Sequence, residues 1–589
     1  MQNNKKQDNL DLLRHSTAHI LATAVLKFFP EAKFAIGPAI DNGFYYDFEL
    51  PRTLIPEDLP LIEAEMKKIV KANFPFKQKM IPIEEALAKF KKLDQQYKVE
   101  LLKDLKKGKK KEVSLYKLDG FIDLCSGPHL ESSGKVDLQA FKLTHISSAY
   151  WKGDEKRESL QRIYGTVFEN KKNLKKHLFE LEEAKKRDHR KLGKELDLFV
   201  FSDLVGPGLP LFTPKGTVIK RTLERWIEDE EMKRGYLQTS TPDISKVALF
   251  KKSGHWDHYQ DDMFPAMDIY DDQYVLRPMT CPHQFMIYNS RPRSYRELPL
   301  RYSEISRLYR KEKSGELFGL IRHAGGWSFA DAHIICTPEQ VEAEFVQVVD
   351  LVQYVMKTLK ITNYWYRFSK WDPENKKDKY VNNPKAWKES QASMKKIIDN
   401  MKLDYQEAED EAAFYGPKLD VQLQNSNGKD ETAFTIQIDF SLPEKFDMTY
   451  IAEDGSEKRP MIIHRGSIGC VERTMAFLIE HYAGKFPTWL SPVQVALLPV
   501  SEKFDAYAKK VEKSLQKEGI RIETPNPENS LGKRIAETTK TKVPYILIIG
   551  EKEEKDETVT IRKRDQKEQE KMKIADFIKM IKKEITEKI

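Results

Sequence analysis

The stretch Arg301–Thr337, RYSEISRLYRKEKSGELFGLIRHAGGWSFADAHIICT, carries the pattern that decides the fold of the largest domain. Charged and apolar residues alternate up to Arg310, a turn-forming segment follows, and a second strand-like segment ends near Ile335. This pattern predicts a β-hairpin with a long loop. Arginine can bind a phosphate group in a bidentate geometry, and the ring of Trp327 could stack on a nucleotide base. A charged hairpin with an exposed face would show the same pattern, so both interpretations stay open at this point.

Composition restricts the class of protein. A chain of 589 residues is too long for one core and predicts roughly three to five domains. A hydrophobic fraction of 40% indicates folded domains, and the net charge of +8 is compatible with a polyanionic partner without requiring one. The four scattered cysteines predict a reducing compartment. There is no apolar signal core and no long apolar run, so we expect a soluble, cytoplasmic protein without a membrane partner.

Two short motifs within the first 130 residues each place two potential metal ligands four residues apart. His15 and His19 are one turn apart on a predicted helix over residues 11–29, and Cys125 and His129 lie on a turn. Four such groups are typical of a zinc site. Metal-free hydrolysis, with imidazoles and Asp123 positioning a water molecule, is an alternative, as is an incidental grouping.

The rest of the chain divides by pattern. Residues 169–196 predict one long charged helix that connects domains. Residues 197–490 mix helices and strands irregularly, which predicts a mostly antiparallel sheet flanked by helices, without a phosphate-binding P-loop or a GxGxxG motif. Apolar strands joined by helices follow from Val493 and predict an α/β domain, whose segment Ile561–Arg564 either contacts a polyanion or is only a polar strand end.

Three further segments stand out beside the hairpin, namely RPMTCP (277–282), YGPK (415–418) and GCVER (469–473). Together with it they resemble the threonyl-tRNA synthetase family of class II aminoacyl-tRNA synthetases. The hairpin resembles motif 2 of that class, the segment from Gly235 to Pro242 resembles motif 1, and Gly469–Arg473 (GCVER) resembles motif 3. Segments more specific to the threonine family are RPMTCP (277–282), DAH (331–333), YGPK (415–418) and IIHR (462–465). The HxxxH pair and DLCSGPH (123–129) are similar to its editing domain.

The resemblance implies an α+β multidomain protein with four segments. These are an N-terminal α+β editing domain (1–168), a connecting helix (169–196), a class II catalytic domain built on an antiparallel sheet (197–490) and a C-terminal α/β anticodon-binding domain (491–589). It implies a ligase that activates threonine with ATP, transfers it to tRNA(Thr) and hydrolyses mischarged Ser-tRNA(Thr) at a separate site. It also implies a cytoplasmic homodimer, with Mg²⁺ accompanying ATP.

The resemblance also assigns residues to sites. One zinc ion per subunit would be bound by Cys281, His333 and His464. The remaining assignments are ATP contacts for Arg310, Glu312, Arg322, Trp327 and Arg473, of which Arg310 and Arg473 are catalytic; threonine contacts for Met279, Asp331, Tyr415, Lys418 and Gln437; editing roles for His15, His19, Lys98, Asp123, Cys125 and His129; and anticodon contacts for Arg562 and Arg564. Zinc accompanies a similar editing pattern in alanyl-tRNA synthetases, whereas the threonine family implies editing without a metal.

The chain departs from the family at identifiable places. The ubiquitin-like domain that usually precedes the editing domain is expected to be missing, because the first editing helix begins near residue 9. The loop Arg322–Phe329 is one residue longer than usual and lacks a second arginine, and Phe329 and Thr432 stand where glutamine is common. A tRNA-binding paralogue without ligase activity, or a class II ligase for another amino acid, are the alternatives to a threonine ligase.

Overall fold

The computed structural model describes residues 2–154, 156–312, 314–375, 379–425, 428–525 and 528–589. By the density of backbone contacts it divides into two compact units, residues 1–182 and 183–589. Within the described ranges, no helix combines the length and the apolar character that crossing a bilayer requires.

The first unit contains two antiparallel sheets and the helices that pack on them. In one sheet the strand order is β1-β3-β8-β7, with β2 paired to β3, and in the other it is β4-β5-β6. The elements are α1 (Gln2–Phe28), β1 (Lys33–Phe34), β2 (Ala39–Ile40), β3 (Gly43–Glu49), α2 (Asp58–Ala72), β4 (Lys77–Pro82), α3 (Ile83–Lys92), α4 (Gln96–Lys107), β5 (Glu112–Leu118), β6 (Phe121–Leu124), β7 (Phe141–Tyr150) and β8 (Ser159–Val167). The next helix, α5 (Lys171–Arg187), begins in this unit and ends in the second.

The core of this unit explains why the first helix is where it is. Apolar residues of α1, among them Ile20, Leu21 and Val25, are fully buried against aromatic residues of β3 such as Phe44 and Phe48. The apolar face of α1 is therefore fixed by packing, and the polar residues beside it are held at defined positions.

The second unit begins with a large mixed region. Its elements are α6 (His189–Glu195), β9 (Phe199–Val200), β10 (Leu211–Phe212), α7 (Pro214–Lys233), β11 (Leu237–Gln238), β12 (Ile244–Lys246), α8 (Val247–Ser253), α9 (His255–Tyr259), β13 (Met267–Ile269), β14 (Asp272–Leu276), α10 (Cys281–Tyr288), β15 (Leu300–Leu308), β16 (Trp327–Cys336), α11 (Val341–Thr358), β17 (Tyr364–Ser369), α12 (Pro384–Asn400), β18 (Tyr405–Ala408), β19 (Lys418–Gln424), β20 (Asp430–Asp439), α13 (Leu442–Lys445), β21 (Tyr450–Ile451), β22 (Glu457–Lys458), β23 (Met461–Cys470) and α14 (Val471–His481).

An eight-stranded sheet organises this region, with the strand order β11-β15-β16-β23-β20-β19-β17-β18. All pairs are antiparallel except β11 with β15 and β17 with β18, which are parallel. The predicted hairpin is confirmed, because β15 and β16 pair from Leu300 opposite Ile335 to Leu308 opposite Trp327. The prediction of a mostly antiparallel sheet with flanking helices is confirmed as well.

The two faces of β16 have different tasks. Ala330, Ala332 and Ile334 belong to the large core under the sheet, together with apolar residues of α11 and α14. The alternate residues, including Asp331 and His333, project to the opposite face because side chains alternate along a strand. One strand thus holds the core on one side and presents polar groups on the other.

The C-terminal part of this unit has its own sheet and core. Its elements are β24 (Val495–Pro499), α15 (Asp505–Lys517), β25 (Ile522–Glu523), α16 (Leu531–Lys540), β26 (Tyr545–Ile549), α17 (Glu551–Asp556), β27 (Thr558–Lys563), β28 (Gln569–Lys573) and α18 (Ile574–Glu587). The strand order is β25-β24-β26-β27-β28, parallel over the first three strands and antiparallel after that. The α/β prediction is confirmed, but α17 and β28 were not predicted, since both are short and strongly charged.

The charged segment 169–196 was predicted as a single helix, and that prediction was wrong. The structure ends α5 at Arg187 and begins α6 at His189. Asp188 between them has non-helical dihedral angles, and its side chain accepts a hydrogen bond from the backbone N–H of Arg190. Aspartate in this role is a helix N-cap, so the break has a local cause in the sequence.

A buried ion pair ties α7 to the central sheet. Nη1 of Arg465 in β23 lies 2.7 Å from Oε1 of Glu231 in α7, and the Ser467 hydroxyl donates to the same oxygen over 2.7 Å. Both charged side chains are almost completely buried. Since neither charge can be solvated by bulk water, each depends on the other.

We expect the Glu231→Ala variant to lose about 3–5 kcal/mol of unfolding free energy, because Arg465 then remains buried without its counter-charge. Urea unfolding followed by circular dichroism measures the loss. Asp229→Ala, at an exposed position of the same helix, is the matched control and should stay within about 0.5 kcal/mol of the parent. Equal midpoints for the two variants would contradict the role of the pair.

Candidate active site

Three residues that are far apart in sequence converge on the open face of the sheet. Cys281 is the first residue of α10, His333 lies in β16 and His464 in β23. His333 and His464 are directly opposite in the β16–β23 register, so their side chains share a face. The potential ligand atoms of the three residues lie within 4.8 Å of one another, and all three side chains are buried.

Hydrogen bonds to the outer nitrogens orient the two imidazoles. His333 Nδ1 lies 2.6 Å from Gln284 Oε1, and His464 Nε2 lies 2.8 Å from Asp439 Oδ2. The second nitrogen of each ring therefore remains available to a cation. Two imidazoles and one thiol, with both rings held from behind, are a donor set that fits Zn²⁺ with an open fourth position.

Burial controls the protonation of this cluster. Desolvation lowers the pKa of His333 well below its usual value and raises the pKa of the Cys281 thiol well above its usual value. The imidazole is therefore neutral, as a metal ligand must be, whereas the thiol keeps its proton until a cation displaces it.

A cavity of about 270 Å³ opens beside the cluster. The predicted threonine contacts lie on its wall, namely Met279, Asp331, Tyr415, Lys418 and Gln437. The Tyr415 hydroxyl donates to Gln437 Oε1, and its ring stacks on His464 with 4.8 Å between centroids. Burial raises the pKa of the Asp331 carboxyl to about 6. Phe329 also lines the cavity and makes that part of the wall apolar.

The predicted arginines lie around the hairpin and at the start of α14. Arg310 lines the same cavity, with Nη2 3.1 Å from Met279 Sδ. Arg322 pairs with Glu316 at 3.1 Å. Arg473 is half-buried and donates to two carbonyl oxygens, those of Ile321 and Thr432, each at 3.1 Å. The positive charges of Arg310 and Arg322 both act on Arg473, and burial, the larger effect, lowers its pKa.

Glu312 and Trp327 differ in how they are presented. Glu312 is half-buried two residues after Arg310. Trp327 is only 5% exposed, because the His323 ring stacks on it at 4.2 Å and the Arg473 guanidinium lies 5.0 Å from its ring centre. The indole face that the sequence predicted as open to a base is thus largely covered by side chains of the chain itself.

The N-terminal unit brings its predicted cluster together. Cys125 Sγ lies 3.3 Å from Nε2 of both His15 and His129. The His19 ring centroid is 4.2 Å from that of His129 and 5.2 Å from that of His15. All four residues offer ligand atoms within 4.8 Å. Ser16, which the sequence analysis missed, lies in α1 beside His15, and its hydroxyl oxygen is 3.2 Å from His129 Nδ1.

A buried ion pair lies next to His19 of this cluster. Lys98 and Asp123 form a buried ion pair, and His19 Nε2 lies 3.4 Å from Asp123 Oδ2. The Tyr46 hydroxyl, also missed, donates to Asp123 Oδ2 over 2.6 Å. The pair explains why two charged side chains are tolerated at this depth.

Burial sets the protonation states of this cluster too. It lowers the pKa of His15, places that of His19 well below its usual value, and lowers that of His129 to about 2. It raises the pKa of the Cys125 thiol to about 11. At neutral pH the site therefore holds three neutral imidazoles beside a thiol, which can position a water molecule through hydrogen bonds or bind a metal ion.

The C-terminal sheet carries a basic cavity of about 350 Å³. Arg562 lies on its wall among lysines from several elements, namely Lys485, Lys540, Lys542, Lys563 and Lys567. Arg564 lies there as well, but its guanidinium donates to the carbonyl oxygens of Lys542 at 2.7 Å, Phe486 at 2.9 Å and Lys485 at 3.1 Å. Arg564 therefore holds loops in place. Of the lysines, Lys485 pairs with Asp565 at 2.8 Å and Lys542 donates to the Ala483 carbonyl oxygen at 2.7 Å. Only Lys563 lies in the basic segment that the sequence had indicated.

Gln284 and Asp439 also escaped the sequence analysis, although a signal existed. Gln284 follows Cys281 by one helical turn, and Asp439 follows Gln437 by two residues on the same face of β20. Both can be found once the neighbouring residue is known to belong to a site.

Family models match three regions of the chain. The tRNA synthetase class II core domain (G, H, P, S and T) matches residues 264–482, and the anticodon binding domain matches residues 494–584. The threonyl and alanyl tRNA synthetase second additional domain matches residues 113–164.

Whole-chain relatives agree with these matches. A threonine–tRNA ligase of Clostridium botulinum (strain Alaska E43) is 52% identical over 585 residues, covering 99% of this chain and 90% of that protein. One from Clostridium perfringens (strain SM101) is 51% identical over 570 residues, covering 96% and 87%. The solved RNA binding domain of threonyl-tRNA synthetase from Cryptosporidium parvum is 34% identical with a TM-score of 0.64, covering 67% of this chain and 98% of that one.

The raised pKa of Cys125 predicts slow alkylation. With a pKa of about 11, its thiolate fraction at pH 8 is roughly 200-fold below that of a free thiol. Iodoacetamide labelling read by mass spectrometry should therefore accelerate steadily up to pH 10, and the urea-unfolded protein, labelled in parallel, should react at the rate of a free thiol. A labelling midpoint below pH 9 in the folded chain would mean that a cation stabilises the thiolate.

Proposed function

The chain belongs to the threonine–tRNA ligase family, and we propose that it joins L-threonine to tRNA(Thr) at the expense of ATP. The observation that carries this proposal is the convergence of Cys281, His333 and His464 on a cavity that Arg310 also lines. A binding protein without ligase activity would need neither the buried donor set nor the arginine beside it.

Selection of threonine is proposed to begin at the donor cluster. Bound zinc would supply a Lewis acid with room for the amino and hydroxyl groups of the amino acid. Gln284 and Asp439 keep the two histidines oriented, while Asp331 and the Tyr415–Gln437 pair surround the substrate. Valine lacks the hydroxyl ligand and should be rejected strongly, whereas serine lacks only a methyl group, worth roughly 1–3 kcal/mol.

Activation is proposed to be in-line attack of the threonine carboxylate on the α-phosphorus of ATP. Arg310 at the cavity would neutralise the α-phosphate, and Arg473 the γ-phosphate, with Mg²⁺ accompanying the nucleotide. Because the positive charges of Arg310 and Arg322 both act on Arg473, an anion bound beside them is favoured. Such a reaction depends on position and charge more than on acid–base catalysis.

Editing is proposed for the N-terminal cluster, because a methyl group alone cannot exclude serine. The neutral imidazoles of His15, His19 and His129 would position a water molecule against the ester of Ser-tRNA(Thr), and the Lys98–Asp123 pair would orient His19. We propose hydrolysis without a metal, and zinc bound by Cys125 and the histidines is the alternative that cysteine labelling tests.

The remaining assignments concern partners. The basic cavity around Arg562 is proposed to contact the tRNA anticodon, with lysines supplying the phosphate contacts. The edge strand β11, whose Leu237 is 51% exposed, is proposed as part of a homodimer interface. We propose that the protein works in the cytoplasm.

Threonine-dependent exchange of pyrophosphate into ATP tests the ligase. We expect exchange with threonine, weak exchange with serine and none with valine. Cys281→Ser should lower the zinc content by one ion per chain and reduce exchange to background, because the substrate then loses its anchor.

The control for this substitution is Cys336→Ser, a buried cysteine three residues beyond His333 on β16 whose thiol lies 3.8 Å from the Met461 carbonyl oxygen. It should keep zinc and exchange. A Cys281→Ser protein that retains both would defeat the assignment, and a parent chain that binds tRNA without exchange would be a tRNA-binding paralogue.

The editing site is tested by separating two activities. His15→Ala should slow hydrolysis of Ser-tRNA(Thr) by about 10²–10⁴-fold, since it removes an imidazole that positions water. Threonine activation should stay unchanged, because His15 lies in the other compact unit. A parallel loss of both activities would count against two separate sites.

A further inference from the structure

A second group of potential metal ligands lies next to Trp327 and Arg473, two of the residues predicted to contact ATP. His323 lies in the loop between β15 and β16, Cys470 ends β23, and Glu472 lies in the first turn of α14. Their ligand atoms lie within 4.8 Å of one another and all three side chains are buried. None of them belongs to the Cys281 cluster, and His323 and Cys470 received no role from the sequence.

One atom of this group is buried without a partner. The His323 side chain is 1% exposed, and its Nδ1 lies 3.1 Å from the Gly325 carbonyl oxygen. Its Nε2 has no hydrogen-bond partner in the described part of the chain. Burial lowers the pKa of His323 to about 4, so the ring is neutral. A ring that donates from Nδ1 to a backbone carbonyl presents a bare lone pair at Nε2, as metal-binding histidines do.

The other two members are held by backbone and by a lysine. The Cys470 thiol donates to Glu472 Oε2 over 3.2 Å, and the same oxygen accepts from the Ser328 N–H at 3.0 Å. Glu472 Oε1 lies 2.8 Å from Lys220 Nζ. The carboxylate is therefore fixed in place with one oxygen directed at the thiol.

Charge balance allows a divalent cation here. When the cation binds, the thiol proton leaves to solvent, and one thiolate, one carboxylate and one neutral imidazole together neutralise a doubly charged ion. Lys220 and the Arg473 guanidinium also face Glu472 and Cys470, so tight binding requires a metal that forms strong bonds to sulfur and nitrogen. Among divalent ions this favours Zn²⁺ over Mg²⁺ or Ca²⁺.

We propose that His323, Cys470 and Glu472 form a second zinc site, separate from the substrate-binding cluster. Zinc there joins the long hairpin loop to the start of α14. It holds the His323 ring in its stacked position on Trp327. The position of Trp327 in turn sets its contact with the Arg473 guanidinium. Its role is to hold the cavity wall around Trp327 and Arg473 in shape, with a water molecule as the fourth ligand beside the three protein ligands.

The test uses the full chain with the other reactive clusters disabled. In a Cys125→Ser/Cys281→Ser background freed of metal by a chelator, Co²⁺ is titrated and the thiolate-to-cobalt absorption band is followed. We expect one equivalent of Co²⁺ to saturate the band. Adding Cys470→Ser should abolish the band, and adding Cys336→Ser, the other remaining cysteine, should leave it intact.

A background without a thiolate band, or a band that survives Cys470→Ser, would overturn the proposal and leave the thiol–Glu472 contact as a plain hydrogen bond. If circular dichroism shows that the double variant does not fold, zinc is counted by mass spectrometry in otherwise unchanged chains. Cys470→Ser must then contain one zinc ion less than Cys336→Ser, and equal contents would overturn the proposal.

Discussion

The pairing of β16 with β23 is the constraint on which the rest of the structure depends. It sets His333 opposite His464 on one face of the sheet and packs Ala332, Ile334 and Ile463 into the core on the other. Cys281, His333 and His464 are far apart in sequence, so only the tertiary structure brings them together, and a rigid sheet keeps their positions fixed. The apolar face gives the free energy that holds the polar face in position.

Buried polar groups in this molecule are stabilised by partners that have no chemistry of their own to perform. Asp439 and Gln284 orient imidazoles, Glu231 balances Arg465, and Ser16 and Tyr46 support the N-terminal cluster. Each removes the cost of leaving a donor, acceptor or charge unpaired in a low-dielectric interior. His323 Nε2 is one of several buried atoms without a partner in the described part of the chain. It is distinguished by belonging to a group of three potential ligands within 4.8 Å of one another.

How much the sequence could predict depended on whether the signal was local. The hairpin and the four-residue spacing of His15 and His19 were found, because period and turn chemistry act over a few residues. The Cys281 cluster has no spacing signal, and only resemblance to a family suggested it. The break at Asp188 was missed because its charge matched its helical neighbours, and the covering of Trp327 was missed because His323 reaches it through loop packing. The domain boundaries and the individual site roles stay predictions.

The alternation along β16 also governs how such a chain can change over generations. Inserting one residue just before Asp331 without a compensating β-bulge would exchange the faces of the residues that follow, moving Asp331 and His333 into the core and Ala332 into the cavity. No single substitution elsewhere could repair that exchange. We therefore expect a change of length to be tolerated best in the connection between Leu308 and Trp327, which lies outside the paired strands. Arg310 and Arg322 lie in that connection, so an added residue there would also act on the cavity wall. The connection can therefore change in length as well as in sequence, whereas β16 is expected to change mainly by substitution.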